Sequence, residues 1–197
     1  MPKKINSEIL TKALKLLSGR LELERSPPVN LVVCGGAALI ALELVVRTTK
    51  DVDVVALIDE EGILNGLQPL PLYLLKAAHQ VAADLDLDEN WLNSGPSGLV
   101  DLGLPPGFTA RLHRKKYGNQ VTVNFISRID QIHFKLYAAV DSGPGYHVDD
   151  LLSLEPSMDE MGAAAAWAIT HDVSPGFKLV LKDMLVKLGY ELAAETI

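Results

Sequence analysis

The sequence predicts an α/β chain: a small sheet dressed with helices, followed by a helical C-terminal part. Three observations predict it. Short apolar runs at 31–34 and 52–58 and the alternating stretch at 120–126 are bounded by turn residues, as strands are. Apolar residues at helical spacing fill 6–18, 37–46 and 72–85, between and before those runs. Beyond residue 130 every periodic stretch is helical. Mixed elements followed by helices alone imply a sheet domain with a helical part packed on it. The division expected is 1–128 for the α/β core with its N-terminal helix and 129–197 for the helical portion.

Residues 6–18 set Ile9, Leu10, Leu14, Leu16 and Leu17 near helical spacing, with Lys12 and Lys15 between them, after an Asn6-Ser7-Glu8 cap region. Ser26-Pro27-Pro28 is a loop. Leu31 to Cys34 is a short buried strand, Gly35-Gly36 a turn, and Ala37 to Val46 a helix rich in Ala and Leu. Val52 to Ile58 is apolar enough to be a central strand. Asp59 to Pro71 reads as a loop with one helical turn, Leu72 to Leu85 as a helix, and 84–106 as irregular. Phe108 to Tyr117 and Gln120 to Ile126 flank Gly118-Asn119 as a β-hairpin. Helices are expected over 130–141 and 148–154. Ser157 and Glu160 form a capping box for a helix through Ile169, and a last helix covers 176–194.

Composition narrows the function classes. The 197 residues are 48% hydrophobic, ample for a core, and carry a net charge of −7. That charge argues against a nucleic-acid surface spread over the whole chain but leaves room for a local basic rim. Arg111, His113, Arg114, Lys115 and Lys116 form such a rim on a hairpin strand, readable as an aggregation-blocking edge or as a polyanion contact. The single cysteine, Cys34, excludes an internal disulfide and fits a cytoplasmic location, with a buried strand position as its role. The basic Met1-Pro2-Lys3-Lys4 start leads into an amphipathic stretch, so no signal peptide is expected. No apolar run is long enough for a bilayer, so no membrane partner is expected either. The five histidines lack zinc spacing, Trp91 and Trp167 read as packing residues, and phosphate-loop, dinucleotide and serine-hydrolase motifs are missing.

The chemistry concentrates at residues 34–55. A double glycine, Gly35-Gly36, follows an apolar run and precedes a helix. Arg47-Thr48-Thr49-Lys50-Asp51-Val52-Asp53 then opens the next apolar run. The strand period of two puts Asp51 and Asp53 on one face. Adjacent carboxylates repel unless a cation sits between them. A divalent cation, with a phosphate chain on the glycine turn, is the natural occupant.

Strand, Gly-Gly, helix, Asp-x-Asp strand is an order that resembles the nucleotidyltransferase superfamily, which includes DNA polymerase beta and the aminoglycoside nucleotidyltransferases. The spacer, 37–50, is slightly long for it. Arg47-x-Thr49-x-Asp51-Val52-Asp53 is similar to the bacterial branch near the abortive-infection toxin nucleotidyltransferases. Gln131 to Ala139, with Lys135-Leu136, followed by His147-Val148-Asp149-Asp150-Leu151, resembles that branch's second motif. Trp91-Leu92-Asn93 and Leu104-Pro105-Pro106-Gly107-Phe108 are similar to uncharacterised bacterial proteins of the same fold.

The resemblance implies a small mixed sheet of nucleotidyltransferase type. It also implies Mg²⁺- or Mn²⁺-dependent transfer of an NMP from an NTP to an unidentified acceptor, RNA or protein, with a toxin-like role and an antitoxin partner as one form. Gly35, Gly36, Arg47, Thr49 and Lys135 would bind the nucleotide. Asp51 and Asp53 would hold the metal and, with Lys135 and Asp149, carry the chemistry. A third acid on a neighbouring strand normally completes such a site. Here the nearest match is Asn124, an amide that ligates but is no general base. Asp101, Asp149 or Asp150 would have to substitute. The alternative is a catalytically silent nucleotide-binding or protein-interaction module of the same fold. On a helix, Lys135 also reads as an ordinary solvated lysine, and Asp149-Asp150 as a helix cap.

Overall fold

The computed structural model describes residues 2–143 and 145–197. They fall into two compact units, Met1–Leu104 with Phe108–Ile126, and Pro105–Gly107 with Ser127–Ile197.

The first unit is a mixed sheet backed by two long helices. Helix α1 (Ser7–Leu23) starts where the Asn6 side chain accepts a hydrogen bond from the Ile9 N–H at 2.9 Å. It buries Leu10, Ala13, Leu14, Leu17 and Leu21, one stripe at three- and four-residue intervals. Strand β1 (Val29–Cys34) leads into α2 (Gly35–Ala41) and then β2 (Val52–Ile58). The short β3 (Leu64–Asn65) precedes α3 (Leu72–Leu85), which buries Leu74, Ala77, Ala78, Val81 and Ala82. Strand β4 (Leu92–Asn93), helix α4 (Gly98–Leu102), β5 (His113–Lys116) and β6 (Val121–Phe125) complete the unit.

The strand order is β3-β2-β1-β6-β5, with β4 pairing β2 as well. Strands β1 and β2 are antiparallel, β1 and β6 parallel, and β5 and β6 antiparallel. Val29, Leu31, Val33, Val52, Val54, Val121, Val123 and Phe125 belong to one core cluster with the α1 and α3 stripes. Alternation therefore turns Cys34, Asp53 and Asn124 to the opposite face of the sheet. Each fully buried leucine in that cluster contributes about 1.5–3 kcal/mol, so a charge at Leu14 or Leu17 would unseat α1.

The second unit is helical: α5 (Arg128–Asp141), α6 (Gly145–Ser153), α7 (Met158–His171), α8 (Pro175–Lys187) and α9 (Glu191–Glu195). Trp167 on α7 sits among Phe134 (centroids 5.7 Å apart, stacked), His133 and Tyr137, so its packing role holds. Ser157 and Glu160 form the expected capping box, with hydrogen bonds of 2.9 and 3.2 Å. Among the described residues no helix is long and apolar enough to cross a membrane.

Several boundaries differ from the sequence expectation, each for a local reason. Helix α2 stops at Ala41 rather than 46, because Glu43 turns left-handed (φ 57) and the Leu44 N–H closes back on Leu39 O. The expected last helix is two, broken at Gly189 (φ 85). The 59–71 loop has no helical turn. The Asp59 carboxylate accepts from Glu61 N, Ile63 N and Asn65 Nδ2 and holds a tight turn instead. Phe108–Arg111 is a 3₁₀ turn, so only His113–Lys116 of the first hairpin arm is strand. The 84–106 stretch carries β4 and α4. Asp149 and Asp150 lie inside α6 rather than at the start of a helix.

Candidate active site

Two backbone facts build the site. First, β1 and β2 pair with Cys34 opposite Asp53, so the turn after β1 meets the residues that open β2. Second, Gly35 takes φ +66, which lets the chain swing from strand into α2 within one residue. The corner so made is close-packed against side chains. A methyl group on Gly35 would lie 2.6 Å from Asp53 Oδ2. One on Gly36 would lie 2.8 Å from Thr49 Oγ1 and 2.9 Å from an Arg47 guanidinium nitrogen. Only glycine permits that approach at both positions.

Thr49 is buried and held from its backbone. Its N–H and C=O exchange hydrogen bonds with Ile5 at 2.9 and 2.8 Å, and Ile5 is fully buried. The N-terminal segment thereby pins the stretch entering β2. Thr49 Oγ1 also approaches Asp51 Oδ1 at 3.3 Å. Each acid therefore connects to the corner: Asp53 directly at Gly35, Asp51 through Thr49 at Gly36. Arg47 brings a guanidinium nitrogen to the Gly36 side of the same corner.

One further side chain reaches the site, and sequence reasoning did not assign it there. Strand β4 pairs parallel with β2, with Asn93 opposite Asp53. Asn93 Nδ2 donates to Asp53 Oδ1 at 3.1 Å, while Asn93 Oδ1 accepts from the Gly95 N–H at 2.9 Å. Trp91 anchors β4: its ring is buried, its indole N–H donates to Ala78 O at 2.9 Å, and its carbonyl accepts from Val52 N. The signal in the sequence was the Trp91-Leu92-Asn93 run itself, an anchor, a core residue and a polar tip. A two-residue strand is too short for periodicity to place it.

Asn124 is elsewhere on the sheet. It lies opposite Val32, and Val32 lies opposite Ala56, so Asn124 is two strands across and three residues along from Asp53. At about 4.8 Å per strand, that puts it roughly 10 Å or more away. Its amide N–H groups go to Asn30 Oδ1 (2.6 Å) and Leu31 O (3.0 Å), which ties β6 to β1. Among the described residues no three His, Cys, Asp or Glu side chains group as a metal site. Asp101 is exposed on α4.

In the helical unit, Lys135 is buried rather than solvated. Its Nζ pairs with Asp150 Oδ2 at 2.7 Å, both side chains being under a tenth exposed, and the Tyr146 ring lies 5.5 Å from the same nitrogen. The partner is thus Asp150. Asp149 is exposed, and its backbone carbonyl accepts from Ser153 Oγ at 2.7 Å. A buried ion pair of this kind fixes α5 to α6 and leaves a large penalty if either member is removed.

Comparison with known proteins agrees with this architecture. A family profile described as nucleotidyltransferase of unknown function (DUF6036) matches residues 10–143, which spans the glycine corner, both aspartates, Asn93 and Lys135. No curated protein matches in sequence. Among solved structures, the chain resembles an antigenic nucleotidyltransferase-like protein from Paracoccidioides brasiliensis. The identity is 14%, covering 98% of this chain and 95% of that one, with a TM-score of 0.51, a likeness of fold. On the profile match, which takes in well over half its residues, the chain belongs to this nucleotidyltransferase family of unknown function.

Proposed function

We propose that the protein binds an NTP with Mg²⁺ or Mn²⁺ at the glycine corner and transfers its NMP to an acceptor hydroxyl or phosphate. The observation that carries this reading is the close packing of Gly35 and Gly36 on Asp53, Thr49 and Arg47. Two carboxylates are hard oxygen donors suited to these ions. A bound ion would neutralise charge developing on the transferred phosphoryl group. Asp51 and Asp53 would hold it, the Gly35-Gly36 backbone would lie along the phosphates, and Arg47 would face them with its fork of donors. The exposed strand His113–Lys116 supports RNA as the acceptor, since four consecutive polar or basic side chains stand free of the core.

A titration tests the reading. Wild-type protein should bind Mg-NTP, and Asp51→Ala should lose that binding. Unchanged nucleotide affinity in the variant would remove the proposal.

A second reading is favoured by one observation. Asn124 is committed to β1, and the residues opposite Asp53 on its neighbouring strands are Cys34 and Asn93, neither a carboxylate. A site with no third acid grouped at it among the described residues suits a module that binds nucleotide and transfers nothing. Metal-dependent NTP binding without label transfer to total RNA or protein would select it.

A further inference from the structure

We infer that Asn93 is the positioning residue for Asp53: it fixes which carboxylate oxygen faces the glycine corner and thereby sets the affinity of the site for a divalent cation. The inference rests on the cation-binding part of the function proposed above.

The amide has one orientation. Its oxygen accepts from the Gly95 N–H at 2.9 Å, so its NH₂ group is the end turned to Asp53, and it donates to Oδ1 at 3.1 Å. Gly95 opens the 3₁₀ turn Gly95–Ser97, so the acceptor side of the amide is held by backbone. On the other side, Asp53 Oδ2 abuts the Gly35 corner. The carboxylate is thus clamped between an amide donor on one oxygen and a glycine backbone on the other. The clamp is delivered by a two-residue strand whose register, Asp53 opposite Asn93, is locked by the buried Trp91. A carboxylate with a fixed plane presents its oxygens to a cation without first losing rotamer freedom, and that pre-organisation is worth affinity. An amide achieves it without adding negative charge beside Asp51 and Asp53.

The test uses Mn²⁺ alone, with Mn²⁺ affinity read by spin resonance of the free ion and the metal-induced rise in melting temperature read in parallel. Asn93→Ala should weaken Mn²⁺ binding by about tenfold, the scale of one charge-assisted hydrogen bond. Asn93→Asp is isosteric, keeps the acceptor for Gly95, and places a carboxylate beside Asp53. It should lower the melting temperature of the metal-free protein yet bind Mn²⁺ more tightly than wild type, with a larger metal-induced rise. The loss in Asn93→Ala reads the positioning of Asp53, and the gain in Asn93→Asp, which lacks the donor but supplies a carboxylate of its own, shows that residue 93 stands at the cation. If Asn93→Ala does not fold, Asn93→Ser replaces it, since a hydroxyl still caps Gly95 but is too short for Asp53. Wild-type Mn²⁺ affinity in Asn93→Ala, or in Asn93→Ser where that replaces it, would overturn the inference. If wild type and Asp53→Asn respond to Mn²⁺ alike, the proposed cation site itself fails, and that result is read separately.

Discussion

Replacing Gly35 with alanine is the most informative single perturbation of this fold. Two costs can be read from the geometry. At φ +66 an alanine is strained by about 1–2 kcal/mol. Its methyl group would stand 2.6 Å from Asp53 Oδ2, so the carboxylate must retreat by about 0.8 Å to restore ordinary contact. A shift of that size misaligns the 3.1 Å hydrogen bond from Asn93, a charge-assisted bond worth about 1.5–3 kcal/mol. Together the expected loss is about 3 kcal/mol, or a fall in Tm of roughly 6–12 °C for a chain of this length. A double-mutant cycle in urea separates the two costs. Asp53→Ala removes the clashing oxygen and leaves its Cβ at 3.8 Å, an ordinary contact. In that background Gly35→Ala should cost only the backbone strain, giving a coupling of about 2 kcal/mol. Additive effects, with coupling below about 0.5 kcal/mol, would refute the claim that the corner rests on Asp53.

Three further predictions concern stability. Arg128 donates from Nη1 and Nη2 to Glu160 (2.6 and 3.1 Å) and from Nε and Nη2 to the carbonyls of Leu154 and Glu155. The Arg128 hydrogen bond holds the Glu160 carboxyl below its ordinary 4.5. A depressed folded value gives stability that is present above pH 4.5 and lost as pH falls below it, so Glu160→Gln should flatten the acid limb of the stability profile. For the buried Lys135–Asp150 pair, Lys135→Met alone should cost about 3–5 kcal/mol in denaturant unfolding, and Lys135→Met with Asp150→Leu should recover most of it. Burial pushes the Tyr117 hydroxyl up to about 12. A raised folded value means its contribution is complete below pH 10 and lost between 10 and 12, so tyrosinate absorbance should retain a step near pH 12 that Tyr117→Phe removes.

Local chemistry explains which parts of this structure were legible in the sequence. Ser157 and Glu160 could be read as a capping box because the motif is contained in four consecutive residues. Strand β2 was readable because a long apolar run needs no partner to be recognised. Helix α2 was overrun, since nothing in Leu42–Val46 announces the left-handed Glu43. At the site, the glycine corner and both aspartates were legible as neighbours in one stretch of chain. Asn93 was not, because it reaches Asp53 through a pairing forty residues away in sequence, made by a strand of two residues. Lys135 reads as a solvated lysine on its own helix. Its burial depends on Asp150 from the following helix, a contact no periodicity encodes. Strand alternation puts Asn124 on the correct face, but register sets it opposite Val32 rather than beside Asp53.

The most direct test of the account is a crystal structure of the protein with an NTP and Mn²⁺, using the anomalous signal of the metal. The account predicts a Mn²⁺ peak between the carboxylates of Asp51 and Asp53, with phosphate oxygens against the Gly35-Gly36 backbone. A nucleotide bound away from that corner, or one seated there with both carboxylates turned from the metal, would contradict it.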